Sequence, residues 1–116
     1  MFNLKDKVTL ITGATGGIGM SIARKMKQSG AKLILSGTRR NVLSDLKLEL
    51  GNDVEIITTD LNSSDDILNL AKQAEDSFGQ IDILINNAGV NADNLFLRMK
   101  DEEWDKVINL NLSAPM

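Results

Sequence analysis

Lys7-Val8-Thr9-Leu10-Ile11-Thr12, followed at once by Gly13-Ala14-Thr15-Gly16-Gly17-Ile18-Gly19, is the stretch on which the reading of this chain turns. Its first part is short, β-branched and nearly all apolar, the pattern of a buried parallel strand. Past the glycines, residues 18 to 30 place Ile18, Ile22, Ala23 and Met26 on one helical face, with Arg24, Lys25 and Lys27 largely elsewhere. Strand, glycine turn and helix in succession form a setting with a physical use. The glycines permit a tight turn, let the backbone approach a pyrophosphate, and leave that phosphate at a helix N-terminus. Gly13, Gly17 and Gly19 make a Gly-x-x-x-Gly-x-Gly spacing, with Gly16 additional. A glycine-rich turn with no ligand is the plainer alternative, and the glycines by themselves leave it open.

Working outward, strands and helices alternate. Lys32 to Ser36 reads as a second strand, and Arg40 to Leu50 carries Val42, Leu43, Leu46 and Leu50 at helical spacing. Gly51-Asn52-Asp53 is a turn signal, after which Val54 to Asp60 reads as a third strand. Ser63 or Ser64 caps the next helix, with Asp65 and Asp66 favourable in its first turn. Ile67, Leu70, Ala71, Ala74 and Phe78 form its apolar stripe, and Gly79 ends it. Ile81 to Ile85 reads as a fourth strand. A last helix is expected from about Asp101, with Trp104, Val107, Ile108 and Asn111 along it. Such alternation predicts an α/β chain whose right-handed crossovers give a parallel sheet.

Composition bounds the function. The 116 residues suit a single domain; 42% are hydrophobic and 25% charged, as in ordinary soluble proteins. A net charge of −3 without a basic block offers no footprint for nucleic acid. With no cysteine and no histidine, a thiol nucleophile, a disulfide and the usual metal ligands are missing, so no metal site is expected. Asp65-Asp66 and Glu102-Glu103 read as helix-start charges. The opening residues lack a signal-peptide core and no apolar run reaches membrane-spanning length, so a cytoplasmic chain without a membrane partner is expected.

In this architecture the end of the second strand faces the adenosine ribose. A carboxylate there accepts from a 2′-hydroxyl, and an arginine nearby accommodates a 2′-phosphate. Ser36-Gly37-Thr38-Arg39-Arg40 contains no carboxylate, and its arginines follow the glycines at about the usual 20-residue distance. NADP is therefore expected over NAD, with Thr38 and Arg39 as its contacts. The alternative is that both arginines merely decorate a solvated helix start. Gly16 counts slightly against NADP.

With Thr12 in front, the glycine pattern resembles the Thr-Gly-x-x-x-Gly-x-Gly of the short-chain dehydrogenase/reductase family, and Asn86-Asn87-Ala88-Gly89 resembles that family's Asn-Asn-Ala-Gly. The run from Asp93 through Asn94-Leu95 and Arg98-Met99-Lys100-Asp101-Glu102-Glu103-Trp104 is similar to that of its 3-oxoacyl-(acyl-carrier-protein) reductases. The resemblance implies a Rossmann-type doubly wound parallel sheet, here partial, with strand order 3-2-1-4 and the remaining strands absent. The fourth strand would then be an exposed apolar edge. It implies residues 1–116 as the N-terminal, cofactor-binding half of a single reductase domain. Gly13, Ala14, Thr15, Gly16, Gly17, Ile18 and Gly19 would hold the cofactor with Thr38, Arg39, Asn87, Ala88 and Gly89. Asp60 would hold the adenine amino group with Leu61 beside the base, unless Asp60 serves only to cap the turn before Ser63.

Asn111 matches the asparagine of the family's catalytic tetrad, whose role is to hold a water in a proton relay. The serine, tyrosine and lysine of that chemistry have no counterpart here, and the sequence contains no tyrosine. The resemblance thus implies NADPH-dependent reduction of a 3-oxoacyl-(acyl-carrier-protein) thioester in fatty-acid biosynthesis by a complete enzyme, a homotetramer, with this chain inactive alone. A non-catalytic nucleotide-binding remnant and a reductase of another carbonyl substrate are the alternatives.

Overall fold

The computed structural model describes residues 3–87, 95, 97 and 107–111. Its elements run β1 (Val8–Ile11), α1 (Gly17–Gln28), β2 (Lys32–Gly37), α2 (Arg40–Leu50), β3 (Val54–Thr58), α3 (Ser64–Phe78), β4 (Ile83–Asn86) and β5 (Ile108–Asn111). The strands form one five-stranded sheet in the order β3-β2-β1-β4-β5. Every pairing is parallel, with Thr9 opposite Leu33 on one side and Ile83 on the other. The chain thus has the Rossmann-type α/β fold that its sequence implies.

Side chains alternate across a strand, and that alternation sorts the core into two layers. Val8, Leu10, Ile34, Ile57 and Leu84 meet Ile67, Leu70 and Ala74 of α3 on one face. Ile11, Leu33, Leu35, Val54, Ile83 and Ile85 meet Ala23 of α1 and Leu43 and Leu46 of α2 on the other. Sheet strands covered on both faces must be apolar throughout, which is why β1 and β4 read as nearly unbroken apolar runs. Helix ends follow local chemistry. Ser63 Oγ accepts from the Asp66 amide, and Gly79 closes α3 at φ +77°, a left-handed position that disfavours any side chain. At the other end of the sheet, Asp82 Oδ2 accepts from the Val8 amide at 2.8 Å, aligning the starts of β1 and β4.

Thr9 lies on the α1/α2 face of β1 between Leu33 and Ile83, and its buried Oγ1 has no hydrogen-bond partner among the described residues. Thr9→Val keeps the branched shape and removes a dehydrated hydroxyl, so the chain should gain about 1 kcal/mol. Urea denaturation reads this directly; a lowered midpoint would contradict it.

Three expectations change. Val107, Ile108 and Asn111 do not lie along a helix: residues 108–111 form β5, with Ile83 opposite Ile108 and Asn86 opposite Asn111. Ile108-Asn109-Leu110-Asn111 alternates with a period of two, and β4 offers it an open ladder of backbone groups. Asn86 Nδ2 also donates to Asn109 Oδ1. Consequently β4 is an inner strand, and the 3-2-1-4 order extends by a fifth, outer strand whose Ile108 and Leu110 are exposed. Ile18, expected on the buried stripe of α1, is 65% exposed because it sits in the first turn of the helix, while Ala23 fills the layer against the sheet. The expected helix start at Asp101 to Trp104 lies outside the described residues.

Candidate cofactor-binding site

Strand order reverses at β1, with β2 to one side and β4 to the other. The connections that follow these strands diverge there and leave a crevice beyond their C-terminal ends, where doubly wound sheets bind ligands. A cavity of about 420 Å³ occupies this place. Its wall is made by Gly13, Thr15 and Gly16 of the glycine loop, Ser36 to Arg39 at the end of β2, Thr59 to Asn62 after β3, and Asn87 after β4.

The glycine loop is shaped by backbone bonds and by two side chains. Gly13 adopts φ +67°, which turns the chain out of β1. The amides of Thr12 and Ala14 donate to the Ile85 and Ser36 carbonyls at 3.1 and 2.9 Å, tying the loop to β4 and β2 in turn. Thr12 Oγ1 accepts from the Asn87 amide at 3.1 Å, and Asn87 Nδ2 donates back to the Gly13 carbonyl at 3.3 Å. Through these two contacts Asn87 joins the end of β4 to the loop after β1. Gly19 completes the turn by close approach, since a Cβ there would stand 2.2 Å from the Gly13 carbonyl oxygen.

Helix α1 begins without a capping side chain. Its cap residue Gly16 provides no side-chain acceptor, and no acidic residue stands in the first turn. By contrast α3 has both, in Ser63 and in Asp65 with Asp66. The first amides of α1 and its positive dipole end therefore suit a diphosphate better than a carboxylate of the chain itself. A Cβ on Gly17 would meet nothing within 4 Å, so the backbone there is open to an approaching group. The donor set and the open backbone fit a dinucleotide.

On the ribose side, Thr38 and Arg39 are exposed at the cavity wall, and Arg39 Nη2 donates to the Thr15 carbonyl at 2.5 Å. Arg40 opens α2 and is not part of the wall. Asp60 Oδ1 accepts from the Asn62 amide at 2.9 Å, as a turn cap does, and the residue also lines the cavity. Leu61 lines it too while packing on the α3 side of the core. An exposed fork from Arg24 to Glu49, at 2.6 and 3.0 Å, links α1 to α2 outside the cavity. Its hydrogen bonds hold the Glu49 carboxyl below the usual carboxylate range.

The fold thus brings Gly13, Thr15, Gly16, Thr38, Arg39, Asp60, Leu61 and Asn87 to one wall. Ala14 and Gly19 are set behind the loop and shape it; Gly17 and Ile18 start the helix outside the wall. Ala88 and Gly89 lie outside the described residues, as does most of the run from Asp93 to Trp104. Asn111 ends β5 opposite Asn86. Ser36, Gly37, Thr59 and Asn62 line the cavity although nothing in the sequence singles them out as ligand contacts. Their common signal is position, close to a strand's C-terminal end. Among the described residues no cluster of three or more possible metal ligands occurs, and no helix is long and apolar enough to cross a membrane.

Known proteins share these features. Residues 7–116 match the short chain dehydrogenase family model. Nodulation protein G of Rhizobium sp. (strain N33) is 44% identical over 114 residues, which cover 98% of this chain and 46% of that protein. The 3-oxoacyl-(acyl-carrier-protein) reductase FabG of Escherichia coli (strain K12) is 41% identical over 97% of this chain and 46% of its own length. The chain therefore spans about half the length of these relatives. A crystal structure of a short-chain dehydrogenase/reductase from Burkholderia phymatum in complex with NAD superposes with a TM-score of 0.71 at 35% identity, covering 78% of this chain and 33% of the other.

Proposed function

Because the chain belongs to the short-chain dehydrogenase family, we propose that it is the cofactor-binding half of an NADPH-dependent reductase of 3-oxoacyl-(acyl-carrier-protein) thioesters. The complete enzyme would act in fatty-acid biosynthesis, in the cytoplasm and as a homotetramer. The cofactor, when bound, supplies the hydride that converts the 3-keto group to a 3-hydroxyl. This chain's residues bind and orient it: the loop from Gly13 to Gly19 and the α1 amides take the pyrophosphate, with Asn87, Ala88 and Gly89 toward its second ribose. Asp60 and Leu61 take the adenine, and Thr38 and Arg39 a 2′-phosphate. Asn111 is assigned to the proton relay of the complete enzyme. The similarity to FabG supports the substrate class.

One observation carries the choice of NADP. Arg39 stands on the cavity wall directly after β2, where Ser36 to Arg40 offer no carboxylate to a 2′-hydroxyl. Titrating the 116-residue chain with NADP and NAD while following thermal unfolding tests it. A ligand held by the native state at about a hundred times its Kd adds about 2.7 kcal/mol, so the preferred cofactor should raise Tm at lower concentration. Equal shifts, or a larger one with NAD, would count against NADP. Lacking any tyrosine, the chain alone should not oxidise NADPH in the presence of a 3-oxoacyl thioester. The second reading is a nucleotide-binding module without chemistry. Supplying the remaining half of a FabG relative in trans separates the two, because only a reductase half would regain turnover.

A further inference from the structure

Arg39 does more in this fold than face a ribose. Its guanidinium reaches back across the cavity wall, 24 positions along the sequence, to the Thr15 carbonyl at 2.5 Å. Two further contacts join the same segments. The Ala14 amide donates to the Ser36 carbonyl at 2.9 Å, and the Thr15 side chain lies so close to Gly37 that a Cβ there would stand 2.7 Å from Thr15 Cγ2. The glycine loop and the end of β2 are therefore clasped at three successive points. Only the outermost, Arg39, is an exposed side chain that a ligand can also engage. Gly16, the residue after Thr15, has no side chain to compete for that space.

We propose that Arg39 is a positioning residue for the pyrophosphate loop as well as a contact for the 2′-phosphate. A guanidinium carries five donors in a fixed plane and serves two acceptors at once, one on the chain and one on the ligand. Holding the Thr15 carbonyl orders the loop before the cofactor arrives, and preorganisation lowers the cost of binding any ligand that uses the loop. The 2′-phosphate and the pyrophosphate are thereby coupled through one side chain. This inference rests on the cofactor reading above, yet it differs from it in a measurable way. A residue that touched only the 2′-phosphate would have no effect on NAD, which lacks that group.

The test is calorimetric titration of the full chain, Arg39→Ala and Arg39→Lys with NAD and with NADP. Arg39→Ala should weaken NAD by about fivefold to tenfold, the order of one hydrogen bond lost from the loop, and NADP by about a hundredfold. Arg39→Lys keeps the charge as a compact point without the planar fork, so it should recover part of the NADP affinity and leave NAD weak. Unchanged NAD binding in both variants would overturn the loop-holding role and leave the 2′-phosphate contact standing. In the ligand-free chain, Arg39→Ala should also speed hydrogen exchange of the Gly16 amide, which donates to the Gly13 carbonyl within the loop, at unchanged Tm; unchanged exchange likewise overturns it. That measurement involves no cofactor, so it separates this inference from the choice of NADP, which a chain preferring NAD would refute alone.

Discussion

Gly19→Ala should cost this chain about 3 kcal/mol and abolish measurable cofactor binding, whereas Gly17→Ala should leave stability intact and lose binding alone. The two glycines lie close together in the same motif, yet they meet different surroundings. A Cβ on Gly19 would fall 2.2 Å from the Gly13 carbonyl oxygen, 2.9 Å from Ala14 Cα and 3.0 Å from Asn87 Nδ2. Two of those neighbours are backbone, which has no rotamer to retreat into. Either the start of α1 moves off the loop, or the Gly13 carbonyl and the Asn87 Nδ2 bonded to it are pushed aside. For a domain whose total stability is of the usual order of about 5–15 kcal/mol, this is a large share, and Tm should fall by about 10 °C or more. On Gly17 a Cβ meets nothing, and alanine is the better helix former, so Tm should hold or rise slightly. The added methyl nonetheless stands where the α1 amides face outward, and a pyrophosphate needs the backbone bare. Thermal melts and NADP titrations of both variants check the pair. A Gly17→Ala chain that binds normally would show that the open backbone there does not serve the phosphates.

Gly37→Ala is the second substitution with a large expected effect, and its partner can be named in advance. The new Cβ would be 2.7 Å from Thr15 Cγ2 and 3.2 Å from Thr15 Oγ1. Thr15 is buried, its β-branched side chain is stiff, and its carbonyl is the acceptor for Arg39. Pushing Thr15 away should therefore destabilise the chain by about 1–3 kcal/mol and weaken the cofactor by about tenfold through the displaced loop. Thr15→Ser removes the clashing methyl and keeps the hydroxyl. In the double variant Gly37→Ala/Thr15→Ser, about 1 kcal/mol should return, a coupling that distant sites do not show. Strict additivity in the urea midpoints would mean that the two residues do not share this contact.

How far the sequence carries differs from one element to the next. Ser63 and Gly79 are legible as the ends of α3 because capping is settled within a few residues of chain. The glycine turn between β1 and α1 is legible for the same reason. Val107 to Asn111 is not: Trp104, Val107, Ile108 and Asn111 fit a helical stripe, while Ile108 to Asn111 alternates as a strand does. Either period satisfies those letters, and the free ladder of β4 chose the strand. Ile18 fits the apolar stripe of α1 by spacing, but its place in the first turn leaves it exposed.

By itself the sequence determined the alternation of strands and helices, the glycine turn and the family to which these belong, since all are written in residue type and short-range spacing. Tertiary structure alone decided which ends of which strands share a wall. Ser36, Gly37, Thr59 and Asn62 have no distinguishing local pattern; parallel pairing of β3, β2, β1 and β4 lines up their C-terminal ends. The clasp of Arg39 on Thr15 was equally invisible along the chain, because two residues 24 positions apart meet only once β1 and β2 lie side by side. Contacts at hydrogen-bond length are set by the packed sheet, and no periodicity in the letters encodes them.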